Sequence, residues 1–175
     1  VFAGIIIACV IISIGVQMFQ NSQLKSLLSI AVVDSNYNHD EQVEALQNDF
    51  LAYAGTGDKH EVVDVDTSLL SGDDYNAVVK MTVVMGAGTA DMMFCGEETY
   101  KKYKQQEAFL SWKEVLGDDY SKYEEYMTDD GRLDLEKCPN WEKYNMVYYS
   151  PVYAVVMSSS KNLENCIKFL EMMVQ

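Results

Sequence analysis

An α/β fold, an open and mainly parallel sheet flanked by helices, is the class this sequence predicts, on three observations. Apolar runs of strand length at 27–33 (LLSIAVV), 92–95 (MMFC) and 147–157 (VYYSPVYAVVM) are bounded by polar residues or turn formers, as buried strands of such sheets are. Between them lie segments whose apolar residues recur at helical spacing. The stretch from Gly86 to Gly96 (GAGTADMMFCG) joins a small-residue turn, an aspartate, four apolar residues and a closing glycine, the shape of a turn feeding a central strand.

Composition sets the limits. Of 175 residues the first twenty or so are apolar, which leaves room for one domain of about 150 residues and none for a second full lobe. A formal net charge of −14 disfavours nucleic acid, whose phosphates would be repelled, and opposes lying on an anionic membrane surface. A hydrophobic content of 49%, with 12 tyrosines, is enough for a real core and excludes global disorder.

In chain order, residues 1–19 (VFAGIIIACVIISIGVQMF) carry no charge and have the length needed to cross a bilayer core. Residues 1–20 are read as a single transmembrane anchor, 21–26 as a short linker and 27–175 as the α/β domain, on the extracellular side of the cell membrane. A cleaved signal peptide is one alternative. A lipoprotein signal at Ile6-Ile7-Ala8-Cys9 is another, although the apolar run continues past Cys9 where a polar tether belongs.

The first strand, 27–33, ends at Asp34-Ser35-Asn36. A helix follows, with Asn38 and Glu41 as a capping pair, Val43, Leu46 and Phe50 as its stripe, and Gly55 and Gly57 as its stop. A second strand covers 61–65 and ends at Asp66-Thr67; a helix over about 73–85 carries Tyr75, Val78, Val79, Thr82 and Met85 at helical offsets. After the 86–96 stretch, a polar helix over about 97–106 shows Tyr100 and Tyr103 on one face, and 109–116 is a short connecting element. The acidic, tyrosine-rich part from 118 to 136 reads as a helix and then a turn at Asp129-Asp130-Gly131. Residues 147–157 form a strand with Pro151 near its start, and 162–173 a last helix with Leu163, Cys166, Ile167, Leu170 and Met173 as its buried stripe.

Little in the sequence points to catalysis or to a cofactor. The four cysteines, Cys9, Cys95, Cys138 and Cys166, show no metal-ligand spacing; buried free thiols are one reading and a Cys138–Cys166 disulfide the other. His39 and His60 sit in polar loops without partners at metal spacing. Gly86-Ala87-Gly88 lacks the third glycine of a dinucleotide fingerprint and the Lys-Ser/Thr ending of a phosphate loop. Counting back from Gly131 puts Tyr126 where an EF-hand needs its first ligand, so a solvated acidic turn is the default and a looser calcium site at Asp129, Asp130 and Asp134 the alternative. The expectation is no enzyme, no cofactor and no metal site.

Three segments in order carry a resemblance. Residues 28–34, 85–95 (MGAGTADMMFC) and 149–170 (YSPVYAVVMSSSKNLENCIKFL) resemble the opening strand, the helix end with its binding-loop strand, and the returning strand and helix of the first lobe of extracellular solute-binding proteins that serve ABC importers. The phrase at 106–116 (QEAFLSWKEVL) fits the same pattern. The whole is similar to reduced, single-lobe, membrane-anchored forms in Firmicutes, because residues 118–145 are too few for the second lobe that would be inserted there.

What the resemblance implies is a type II periplasmic-binding-protein lobe. Its ligand groove would be built from loops after the strands, at Asp34, Asn36, Tyr37, Asp66, Gly96, Glu97 and Tyr149. The ligand would be a small solute (sugar, amino acid or peptide), and a membrane protein such as an ABC permease a partner. The other reading is a cell-surface interaction or scaffolding module that has lost small-ligand binding, with Tyr120, Tyr123 and Tyr126 on its contact face.

Overall fold

The computed structural model describes residues 23–175; the anchor assigned to residues 1–20 and Cys9 lie outside the described residues. Among the described residues no helix is long and apolar enough to cross a membrane. In chain order, β1 (Lys25–Val33), α1 (Asp40–Ala54), β2 (Glu61–Leu69), α2 (Tyr75–Ala87), β3 (Met92–Cys95) and α3 (Glu97–Lys104) alternate. The second half has shorter pieces: β4 (Phe109–Leu110), α4 (Trp112–Leu116), β5 (Leu133–Asp134) and α5 (Trp141–Tyr144), before β6 (Tyr153–Met157) and α6 (Leu163–Met173) close the chain. β1 already includes Lys25 and Ser26, which were expected in the linker.

The strand order is β2-β1-β3-β6-β4, with β5 also on β6. β1 pairs in parallel with β2 and β3, but β6 runs antiparallel to β3, β4 and β5. The sheet is therefore mixed, which corrects the mainly parallel expectation. After α3 the chain makes no further crossover: β4 and β5 line one edge of β6, and β6 reaches β3 from the opposite direction.

Alternation along the strands splits the core in two. Leu28, Ile30 and Val32 of β1 meet Leu46 and Phe50 of α1 and Phe169 of α6 on one face; Ala31 and Val33 meet Met81 and Val84 of α2 and Tyr100 and Tyr103 of α3 on the other. Phe94 sits edge-on to Trp141 and tilted against Phe169, both at 5.6 Å between ring centroids. The buried Trp112 indole donates to the Ala154 carbonyl at 2.8 Å, tying α4 to β6.

Several local readings are corrected. The 118–136 segment holds no α-helix but 3₁₀ turns, Gly117–Lys122, Glu124–Tyr126 and the start of Leu135–Lys137, with β5 before the last. Tyr120, Tyr123 and Tyr126 recur every three residues, the period at which a 3₁₀ backbone eclipses its side chains, and all three pack against the core. All three are half-buried, with part of each ring against the core and part open to solvent. β2 extends past Asp66 to Leu69, which is fully buried.

At α1 the first position is held by His39, whose side chain makes no cap; Nδ1 pairs with the Asn36 carbonyl and Nε2 with the Thr67 hydroxyl. Cys138 and Cys166 are free, the first donating to the Asp134 carbonyl and the second lying 4.0 Å from the Ser160 hydroxyl. On α2 the buried residues are Ala77, Met81 and Val84, whereas Tyr75, Val78, Val79 and Val83 face outward.

Candidate functional site

The topology creates one crevice. α1 follows β1 onto one face of the sheet and α3 follows β3 onto the other, so the loops after these neighbouring parallel strands diverge and leave a gap at their carboxyl ends. A cleft of about 330 Å³ lies there, lined by Asp34, Ser71, Gly96 to Thr99 and Tyr148 to Pro151. That volume is at the small end of ligand pockets.

Tyr149 forms the floor. Its hydroxyl donates to the Val33 carbonyl at 2.9 Å and lies 3.5 Å from that of Phe94, the Val33 contact joining it to the last residue of β1. Burial pushes its phenol far above the ordinary tyrosine range, so it stays a neutral donor. Glycine at 96 is what lets the ring in, since a Cβ there would stand 3.2 Å from Tyr149 Cδ2.

Asp34 forms one wall. Its φ of +51° is a left-handed conformation that Asp and Asn tolerate better than other side chains. The backbone N–H of Asp34 donates to the Leu69 carbonyl at 2.9 Å, and one carboxylate oxygen accepts from Ser71 N–H at 3.0 Å. The loops after β1 and β2 are thus stitched together at the cleft edge.

Glu97 opens α3 but is committed elsewhere. It pairs with Arg132 and with Lys101, the latter at 3.0 Å, and Arg132 first and Lys101 second hold its carboxyl down at about 2. Arg132 is itself clamped between the rings of Tyr100 and Tyr153, at 4.3 and 4.0 Å, and bonded to Asp130 at 2.8 Å. The charged residues lining the cleft are all acidic: Asp34, Glu97 and Glu98. Lys101 and Lys102, the nearest lysines in sequence, are paired with Glu97 and Asp73.

The positive end of α3, capped only by Gly96, favours an anion by about 0.3–1 kcal/mol. Two like charges 4 Å apart repel by about 4 kcal/mol at the effective dielectric of a protein surface, so the carboxylates decide the sign of the cleft. The lining has hydroxyls but neither histidine, cysteine nor lysine, and the Ser150 hydroxyl donates to the Glu136 carboxylate at 2.9 Å. Among the described residues no group of three His, Cys, Asp or Glu side chains is placed to hold a metal ion.

Of the residues expected at a groove, Asp34, Gly96, Glu97 and Tyr149 converge here. Asp66 does not: with β2 running on to Leu69 it stays on the strand, beside a separate crevice of about 150 Å³ under α2, its carboxylate accepting from Ser68. Asn36 lies behind the cleft, its N–H on the Met146 carbonyl, and Tyr37 is fully exposed outside the lining. Ser71, Glu98, Thr99, Tyr148, Ser150 and Pro151 were not expected; Glu98 and Tyr148 adjoin expected residues, the one signal that points to them. A second cavity of about 330 Å³ lies at the other end of β3 around Asp91. There the carboxylate already accepts from Ser29 N–H, the Ser160 hydroxyl and the Asn162 amide, at 2.8 to 3.0 Å.

No protein-family model matches this chain, and neither a curated protein nor a solved structure shows significant similarity to it.

Proposed function

We propose that this protein is a non-catalytic binding domain, tethered to the membrane by residues 1–20 and facing the extracytoplasmic side, which takes a small solute in the manner of the first lobe of an ABC-importer solute-binding protein. The observation that carries this reading is the cleft between Asp34, Gly96 to Thr99 and Tyr148 to Pro151 at the diverging carboxyl ends of β1 and β3. The position of β6 supports it. The chain leaves the sheet after α3, builds only a compact irregular segment, and returns between β3 and β4, where a two-lobed relative would have inserted its second lobe. With that lobe replaced by packed 3₁₀ turns, the cleft stays open to solvent, and binding is of modest affinity unless a membrane partner covers it.

The test is a thermal-shift screen of the full chain in detergent micelles against sugars, amino acids, short peptides and amines, repeated with Ser71→Trp to fill the cleft from its exposed rim. At least one saturable stabiliser is expected, with its effect lost in Ser71→Trp. A screen with no stabiliser, or stabilisation that survives Ser71→Trp, would sink the reading.

A further inference from the structure

We infer that the cleft selects an organic cation, a small molecule bearing primary amine or guanidinium groups, over anionic and neutral solutes. This rests on the cleft being a ligand site and adds the chemistry of the ligand. The lining carries three carboxylates and no basic residue; Arg132 and Lys101 balance Glu97 from outside it, which leaves Asp34 and Glu98. Asp34 has one carboxylate oxygen on Ser71 N–H and keeps the other for a ligand, and among the described residues neither Asp34 nor Glu98 has an ion-pair partner. Glu97 contrasts with them, having Arg132 and Lys101 on its two oxygens.

The tyrosines complete the recognition chemistry. Tyr148 is 75% exposed, with its ring perpendicular to that of Tyr149 at 6.2 Å, which leaves an aromatic face of the cleft lining open to solvent. A cation over that face, with its head on Asp34, gains both an ion pair and a cation–π contact. An anion meets the opposite situation. The N-terminal N–H groups of α3 are the only counter-charge in the lining, and Glu97 and Glu98 in the first turn already offset them. A bare metal ion is not favoured either, because the carboxylates do not converge on one point. The net charge of −14 draws cations toward the molecule as a whole, so binding at the cleft must be separated from general attraction.

The experiment uses the full chain in neutral micelles at about physiological ionic strength, where long-range attraction is screened. 1,5-Diaminopentane, glutarate and maltose are titrated by calorimetry against the parent and three variants. Asp34→Asn keeps the bond to Ser71 and the left-handed backbone while removing the charge; Ser71→Trp blocks the cleft; Asp118→Asn with Asp119→Asn removes two distant exposed charges. The expected result is saturable binding of the diamine alone, weakened at least tenfold by Asp34→Asn, abolished by Ser71→Trp and unchanged in the distant double variant.

Binding of glutarate or maltose that Ser71→Trp abolishes, without the diamine, overturns the cation inference and leaves the site standing. Diamine binding that the distant variant weakens as much as Asp34→Asn also overturns it, as general charge attraction. No binding by any of the three, together with an empty thermal-shift screen, overturns the site itself.

Discussion

At the scale of single residues, two carboxylates with opposite surroundings show how charge is used. Asp91 is buried and its carboxylate is held by three neutral donors from β1 and from the turn before α6. Replacing it with alanine strands the Ser29 N–H and the Asn162 amide, and Asp91→Ala is expected to lower unfolding free energy by about 3 kcal/mol in urea titrations. A loss under about 1 kcal/mol would mean that water replaces the carboxylate without penalty.

Glu97 is instead paired with cations. Its folded pKa of about 2 lies below the ordinary glutamate value of 4.5, so its contribution is present above pH 4.5 and is lost as pH falls toward 2. At this partly exposed position solvent screening limits the contribution to about 1–2 kcal/mol. Glu97→Gln is expected to flatten the fall in stability between pH 5 and pH 2.5, measured by thermal unfolding across that range; an unchanged acid limb would assign the fall to other carboxylates.

At the scale of elements, α2 is the instructive case. It is apolar nearly all round, so periodicity alone selects no face: the residues at helical offsets, Tyr75, Val78, Val79 and Thr82, turned out to point largely outward, and Ala77, Met81 and Val84 inward. Asp74 starts the helix by accepting from the N–H groups of Asn76 and Ala77, and Gly88 ends it in a left-handed cap. Met81→Ala is expected to cost about 2–4 kcal/mol, against less than about 0.5 kcal/mol for Val83→Thr, in the same denaturation assay. Equal costs would show that the outer face is covered by something in solution. Strand lengths were misjudged for a related reason. β2 was expected to stop at Asp66, yet Asp66 and Ser68 face solvent along an edge strand that continues until Leu69 is buried, and an edge strand tolerates polar residues on its open side.

At the scale of the whole molecule, the α/β class and the existence of each long element were legible from apolar runs and periodicity, although β6 begins at Tyr153 where 147–157 was expected and the buried face of α2 was not legible. The direction of β6 was not, since a strand buried on both faces reads the same parallel or antiparallel; only its partners, Met92 to Cys95, decide. The same holds for the cleft. Asp34, Gly96 and Glu97 follow strands and could be named from order alone, whereas Ser71 and Pro151 reach the site through packing between distant loops.

The place of β6 has a consequence for how the chain comes into being. A ribosome releases β1, α1, β2, α2 and β3 first, and β3 then presents a bare, wholly apolar edge until Tyr153 to Met157 have been made. The centre of the sheet is thus closed by the last strand synthesised, a non-local pairing that favours late folding. Ending the chain at Met146 is expected to abolish cooperative unfolding altogether, although every residue of β1, β2 and β3 would remain.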